Sequence, residues 1–240
     1  MKNSPALIRL AEDSHLLPVG EGDTLWAPSE LPSPPGRGCV DLALTGEGWK
    51  NLKGDPAAAE IFRREVSLAL LHRDPAKYAV IDRAIEQAKE KGISYVLCKV
   101  STEARKFMKL ARAVGAEKYR ATAFIRLQPI DQHRVLYGEF QIEHQTAELI
   151  MLHFMKRFPK FNVMIVFNSE VFIGRNKEIF RQALGDRKID LPKAPDEFER
   201  YWLAFYRSQY IPERRNIKYL KRMIPKKYWK WVTELKEFGL

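Results

Sequence analysis

The fold is decided by residues 134–173, which read RVLYGEFQIEHQTAELIMLHFMKRFPKFNVMIVFNSEVFI. The pattern of apolar side chains predicts a strand over 134–142, a helix over 146–158 and two more strands over 162–167 and 170–173. Only two residues separate the last two strands, so we expect them to form a tight hairpin.

A further strand is predicted just before this stretch, at 121–127, where Ala123, Ile125 and Leu127 alternate with Phe124 and Arg126. The resulting order of elements is β-β-α-β-β, with helices on both sides of it. We therefore predict an α+β fold with N-terminal helices, a central antiparallel sheet in ββαββ order and C-terminal basic-aromatic helices.

Three helices are predicted ahead of the sheet. The first begins at Pro56 and runs to about residue 72, and the second spans about 76–91, with Gly92 as its C-terminal cap. The third is capped by Ser101 and is expected to end at Gly115.

Residues 1–38 differ in composition from the rest, because six prolines and four glycines interrupt them. This composition is typical of an extended arm or linker. A short apolar stretch at 40–44 is a possible strand. We expect residues 39–240 to form a single α+β domain.

The C-terminal segment is both basic and aromatic. Residues 200–240 hold eleven Lys and Arg against three Glu, a local net charge of +8, and ten of the 27 aromatic residues of the chain. Helical spacing assigns Phe198, Trp202, Phe205 and Trp231 to a core, whereas Tyr206, Tyr210, Tyr228 and Trp229 fall partly off those faces. Cations and free aromatic faces together are typical of nucleic-acid surfaces.

The bulk composition points the same way. The chain has 240 residues and a formal net charge of +11, which favours polyanionic partners, nucleic acid before membrane. The sequence contains no phosphate-binding glycine motif, no paired-cysteine zinc motif and no run of apolar residues long enough for a membrane span. We accordingly predict no cofactor, no metal and a cytoplasmic protein.

Residues with catalytic potential lie in the middle third of the chain. Glu117, His144 and His153 are candidates for proton transfer, with Arg120, Arg126 and Arg157 available to hold a phosphate. Each has a structural alternative as well, since a histidine in an apolar run such as 149–154 is often a hydrogen-bonded core residue.

Three blocks resemble the bacterial family of DNA metabolism proteins described as domain of unknown function 4130. They are EKYRATAFIR at 117–126, the pair Glu143-His144 with HFMKRFP at 153–159, and the ordered aromatic, basic and proline residues between Trp202 and Trp229. The resemblance covers about residues 100–234. Tyr119 stands where the family pattern has a histidine.

The resemblance implies a role in DNA repair or metabolism. Members of the family occur beside a radical-SAM protein with a helix-hairpin-helix motif, or fused to uracil-DNA-glycosylase-like domains. It therefore implies nucleic acid, DNA before RNA, and that radical-SAM protein as partners, but no established reaction.

Three hypotheses follow. The first is a nucleic-acid-binding accessory protein of DNA repair, whose contacts come from Arg120, Arg126, Arg157, Arg207, Arg214, Arg215, Lys226, Lys227, Tyr228 and Trp229. The second is an enzyme acting on DNA or RNA through Glu117, His144 and His153. The third is a module that docks a radical-SAM partner through the aromatic C-terminal segment.

Overall fold

The computed structural model describes residues 52, 54–130, 134–184, 197–232 and 235, so the arm at 1–38 and the strand at 40–44 lie outside it. The described residues fall into two compact units. Residues up to 119, together with 143–146, form the helical unit. The remaining described residues form the sheet unit.

The helical unit contains α1 (Pro56–Leu70), α2 (Lys77–Lys91), the short α3 (Ile93–Leu97) and most of α4 (Thr102–Phe124). Proline suits the first turn of α1, because the amide hydrogen that it lacks would have no partner there. The helices enclose one apolar core, whose largest members are Phe62, Phe107, Leu70, Ile81 and Ile93. The two helices predicted near 56–72 and 76–91 are confirmed, and Gly92 ends the second with a positive φ of 90°.

The third predicted helix extends nine residues beyond its expected end. Gly115 lies inside α4, and the predicted strand at 121–127 is wrong because the helix continues to Phe124. Buried residues recur at helical spacing through this region: Ala104, Phe107, Ala111, Val114, Glu117 and Ala121. The charged Glu117 interrupts the apolar pattern in the sequence but continues the buried face in the structure.

The sheet unit contains a five-stranded sheet in the order β1 to β5. The strands are β1 (Gln128–Ile130), β2 (Val135–Phe140), β3 (Asn162–Phe167), β4 (Glu170–Arg175) and β5 (Glu178–Ala183). The predicted α+β class is confirmed, and so are the helix after β2 and the two strands that follow it. The observed order is ββαβββ rather than ββαββ, because β1 lies at 128–130 instead of 121–127 and a fifth strand follows β4. The sheet is mixed rather than antiparallel, because β2 and β3 pair in parallel.

The parallel pair follows from the connection between the two strands. Helix α5 (Ala147–Arg157) joins β2 to β3. The helix carries the chain back to the end of the sheet at which β2 began, so β3 can run parallel to β2. A tight turn would instead make the two strands antiparallel. The fifth strand lies in a region whose polar sequence gave no strand signal. Its hairpin turns at Asn176 and Lys177, which both have positive φ, as a two-residue turn of this kind requires.

The C-terminal segment comprises α6 (Glu197–Gln209), a 3-10 turn (Pro212–Arg214), α7 (Ile217–Met223) and a 3-10 helix (Lys226–Trp231). The last of the predicted C-terminal basic-aromatic helices is therefore of the 3-10 type. Its Tyr228 side chain enters the apolar core between the sheet and α5. This contact fixes the end of the basic segment to the sheet.

Candidate nucleic-acid interface

The basic segment presents its cations to solvent. Residues 197–232 contain ten Lys and Arg against three Glu. Nine of the ten cations are exposed, and Lys227 is half-buried. The exposed members are Arg200, Arg207, Arg214, Arg215, Lys218, Lys221, Arg222, Lys226 and Lys230. Charges in this position keep their hydration and remain accessible to a polyanion.

An open cavity of about 410 Å³ lies in the bend between α6 and α7. Three tyrosines and two arginines line it, along with short polar and aliphatic side chains: Tyr206, Tyr210, Tyr219, Arg214, Arg215, Gln209, Asn216, Ile211, Ile217 and Leu220. Its volume falls within the range of about 300–1,000 Å³ found for small-ligand sites. All of its lining comes from a single run of 15 residues.

Local sequence signals build this bend. Tyr206 lies on α6 and Tyr210 directly follows the last residue of that helix, and their ring centroids lie 6.1 Å apart. Pro212 begins the 3-10 turn that carries Arg214. Asn216 then caps α7, because its side-chain oxygen accepts the amide hydrogen of Tyr219 at 2.8 Å.

Two of the predicted stacking residues take other roles. Tyr228 is only 1% exposed, so its proposed contact with a base is wrong: its ring packs in the core against Phe140. Trp229 is half-buried, and its indole N–H donates to the Ile224 carbonyl oxygen at 2.8 Å. Both rings were spaced like surface residues of an α-helix, but the 3-10 geometry turns them differently.

The predicted core face of α6 is also shifted. Phe205 is 56% exposed and Tyr201 is 60% exposed, whereas Trp202 and Tyr206 are half-buried. Trp202 belongs to the predicted face and is covered, whereas Phe205 is not, so the covered face turns towards Tyr206. Tyr219, which was not among the predicted contact residues, is 55% exposed at the cavity.

The arginines predicted outside this segment lie elsewhere in the sheet unit. Arg120 is exposed on α4, and Arg157 is exposed with its guanidinium 5.7 Å from the ring centre of Phe158. Arg126 is half-buried and donates to the Ala123 carbonyl oxygen at 2.8 Å. None of these three arginines lines the cavity between α6 and α7.

Glu117 is buried in the helical unit, where it holds the loop 143–146. One carboxylate oxygen accepts a hydrogen bond from the Glu143 amide at 2.7 Å. The other oxygen accepts two, from the His144 amide at 3.0 Å and from the Thr146 hydroxyl at 2.8 Å. A buried carboxylate with three donors is fully satisfied. It contacts the backbone of His144 rather than its imidazole, so the geometry is that of an anchor and not of a proton relay.

The His144 ring packs against His72, with ring centroids 4.4 Å apart. The Arg73 amide donates to Nδ1 of His144 at 3.3 Å, and the Asp74 amide donates to Nδ1 of His72 at 3.1 Å. Each neutral ring therefore carries its proton on Nε2. Burial lowers the pKa of both histidines, and the neighbouring ring lowers that of His144 further, although Glu117 opposes the shift.

His153 lies on α5 in the sheet unit, half-buried, with its ring edge-on to Phe154 at 5.2 Å. Across the described parts of both units, no three His, Cys, Asp or Glu side chains gather closely enough to hold a metal ion. No helix in those parts is long and apolar enough to cross a membrane.

A family model for a domain of unknown function, DUF4130, matches residues 75–234, which is two thirds of the chain. The match begins just before α2 of the helical unit and extends through the sheet to the basic segment. No curated protein and no solved structure is significantly similar to the chain.

Proposed function

We propose that this chain, which belongs to the DUF4130 family, is a nucleic-acid-binding accessory protein of DNA repair or metabolism. One observation carries the proposal: nine of the ten cations between residues 197 and 232 are exposed on a segment with only three carboxylates. Cations in such density bind the phosphate backbone by releasing its condensed counterions.

The aromatic side chains of the same segment supply the second kind of contact. Tyr219 is 55% exposed beside Arg214, and both line the cavity at the α6–α7 bend. An exposed ring next to a phosphate-binding cation can stack on a base whose phosphate the cation holds. The segment thus combines charge for affinity with ring surface for base contact.

DNA is preferred to RNA as the ligand because of the sequence resemblance to DNA metabolism proteins. The same resemblance favours a radical-SAM partner, and the cytoplasmic location remains a prediction from the sequence. The basic segment binds nucleic acid without a metal or a cofactor in this proposal, since Lys and Arg side chains are enough to neutralise phosphates.

Fluorescence anisotropy with a labelled DNA oligonucleotide tests the proposal across a series of salt concentrations. Affinity should fall as the salt concentration rises. In the double variant Arg214→Ala/Arg215→Ala, the slope of log affinity against log salt concentration should be shallower by about two, one for each phosphate that the variant no longer neutralises. The matched control is Lys109→Ala/Arg112→Ala, which removes two exposed cations from α4 and should leave the slope unchanged. Affinity that does not depend on salt, or equal effects of the two double variants, would contradict the proposal.

One observation favours a second candidate, docking to a protein partner. Tyr201 and Phe205 are both more than half exposed and lie four residues apart, so they form one apolar patch on α6. The variant Tyr201→Ser/Phe205→Ser should abolish co-purification with the radical-SAM partner if this patch docks it. The enzyme hypothesis gains less support, since Glu117 is engaged with the loop backbone.

A further inference from the structure

The geometry of the α6–α7 bend points to a single-stranded ligand: we infer that the cavity lined by Tyr206, Tyr210 and Tyr219 receives one unpaired base of a DNA strand. The inference rests on the proposed function and specifies its substrate class. It assigns a base-binding subsite to the cavity whose lining residues all fall within 206–220.

The size and lining of the cavity fit a base with its phosphate. At about 410 Å³ the cavity is in the range of small-ligand sites, and it is open to solvent rather than closed. Tyrosine rings offer flat apolar faces together with hydroxyl groups that can reach the polar edge of a base. The Tyr206 and Tyr210 rings form one wall, and Tyr219 reaches the cavity from α7.

The two arginines supply the charge at the same site. Arg214 and Arg215 line the cavity and are both exposed, at the end of the 3-10 turn. A guanidinium at the edge of the cavity can bind the phosphate of the nucleotide whose base lies inside. Further exposed cations, Lys218, Lys221 and Arg222, continue along α7 and would meet the next phosphates of the strand.

A duplex does not fit this arrangement. The faces of paired bases are covered by their neighbours in the stack, so a tyrosine ring can reach a base face only where the base is unpaired or at a strand end. The surrounding cations bind phosphates of either form. The cavity therefore favours binding of single-stranded over double-stranded DNA, whereas the exposed cations bind both.

The test compares a labelled 12-nucleotide single strand with the blunt duplex of the same sequence, using the full chain and fluorescence anisotropy at low salt. We expect the single strand to bind about fivefold more tightly or better, since one base–ring stack contributes at least about that factor. Tyr219→Ala should remove this advantage and leave duplex binding unchanged. Tyr219→Phe, which keeps the ring, should retain most of it.

Tyr201→Ala is the matched control, because Tyr201 is as exposed as Tyr219 but lies outside the cavity lining. It should change neither affinity by more than about twofold. Equal binding of strand and duplex, or no effect of Tyr219→Ala, overturns the base subsite while leaving the proposed function in place. Absence of any salt-dependent DNA binding overturns the proposed function itself.

Discussion

Tyr228 stacks on Phe140, with ring centroids 4.9 Å apart and ring planes 12° from parallel. Both side chains are 1% exposed, and Trp231 adds a third ring 4.8 Å from Phe140. The contact joins the last 3-10 helix to strand β2. It explains why a segment with so many surface charges has a fixed position on the sheet.

Replacing Tyr228 with alanine should destabilise the protein by about 3–5 kcal/mol, because it leaves a cavity in the core between Phe140 and Phe124. Urea denaturation followed by fluorescence measures the change. Tyr219→Ala, at an exposed position, should alter the free energy of unfolding by no more than about 0.5 kcal/mol. Equal losses for the two variants would show that Tyr228 is not an anchor.

Replacing glycine with alanine should have opposite effects on stability at two positions. Gly115 lies inside α4, and an added Cβ would have only the Leu68 methyl as a neighbour, at 3.9 Å. Gly115→Ala should therefore stabilise the protein by about 0.5–1 kcal/mol through the lower entropy of the unfolded chain. At Gly174 the added Cβ would lie 2.5 Å from the Met155 sulfur, so Gly174→Ala should destabilise by about 1–3 kcal/mol. Thermal unfolding distinguishes the two, and a stabilised Gly174→Ala would contradict the close packing of α5 on β4.

Glu117→Gln tests the anchoring of loop 143–146. The amide nitrogen of glutamine cannot accept a hydrogen bond, so at least one of the three buried donors loses its partner, at a cost of about 1–3 kcal/mol. Thr146→Val removes the hydroxyl donor at the same site. The two substitutions should be non-additive in a double-mutant cycle, because they affect one shared hydrogen bond. Additive effects, or a fully stable Glu117→Gln, would argue against a structural role for the carboxylate.

The histidine pair should make stability depend on pH. An unfolded histidine takes up a proton below about pH 6.5, whereas burial lowers the pKa of folded His72 and His144, so between these values the unfolded state binds more protons. Stability should therefore fall as the pH is lowered from 7 through 6.5 towards the lowered folded values. The charged and titratable groups around the pair are Glu117, Arg73, Asp74, Lys77 and Glu143. In His144→Asn, the free energy of unfolding, measured by urea denaturation at a series of pH values, should depend less on pH. An unchanged pH dependence would show that other groups cause it.

The sequence predicted most of the elements, because their signals are local. Apolar alternation and helical spacing gave α1, α2, α5 and the strands β2, β3 and β4 to within a few residues. The predictions failed where a local signal was misleading. Glu117 broke the apolar stripe of α4, and Gly115 resembled a helix end although it lies inside the helix.

The candidate site was predicted only in part. The density of cations and aromatics in residues 200–240 is a property of the sequence, and it identified Arg214 and Arg215, which line the cavity. Which rings remain accessible was not predictable in this way. A ring becomes buried only when another element covers it, and Tyr228 is covered by β2 while Tyr219 is not.

The sequence by itself determined most of the helices and strands, the basic character of the C-terminal segment and the family, since each depends on residue type and spacing along the chain. The tertiary structure alone decided the parallel pairing of β2 with β3, the anchoring role of Glu117 and the placement of Tyr219 at a cavity. These depend on contacts between residues far apart in the chain or on the angle between two helices. Neither is encoded in local periodicity.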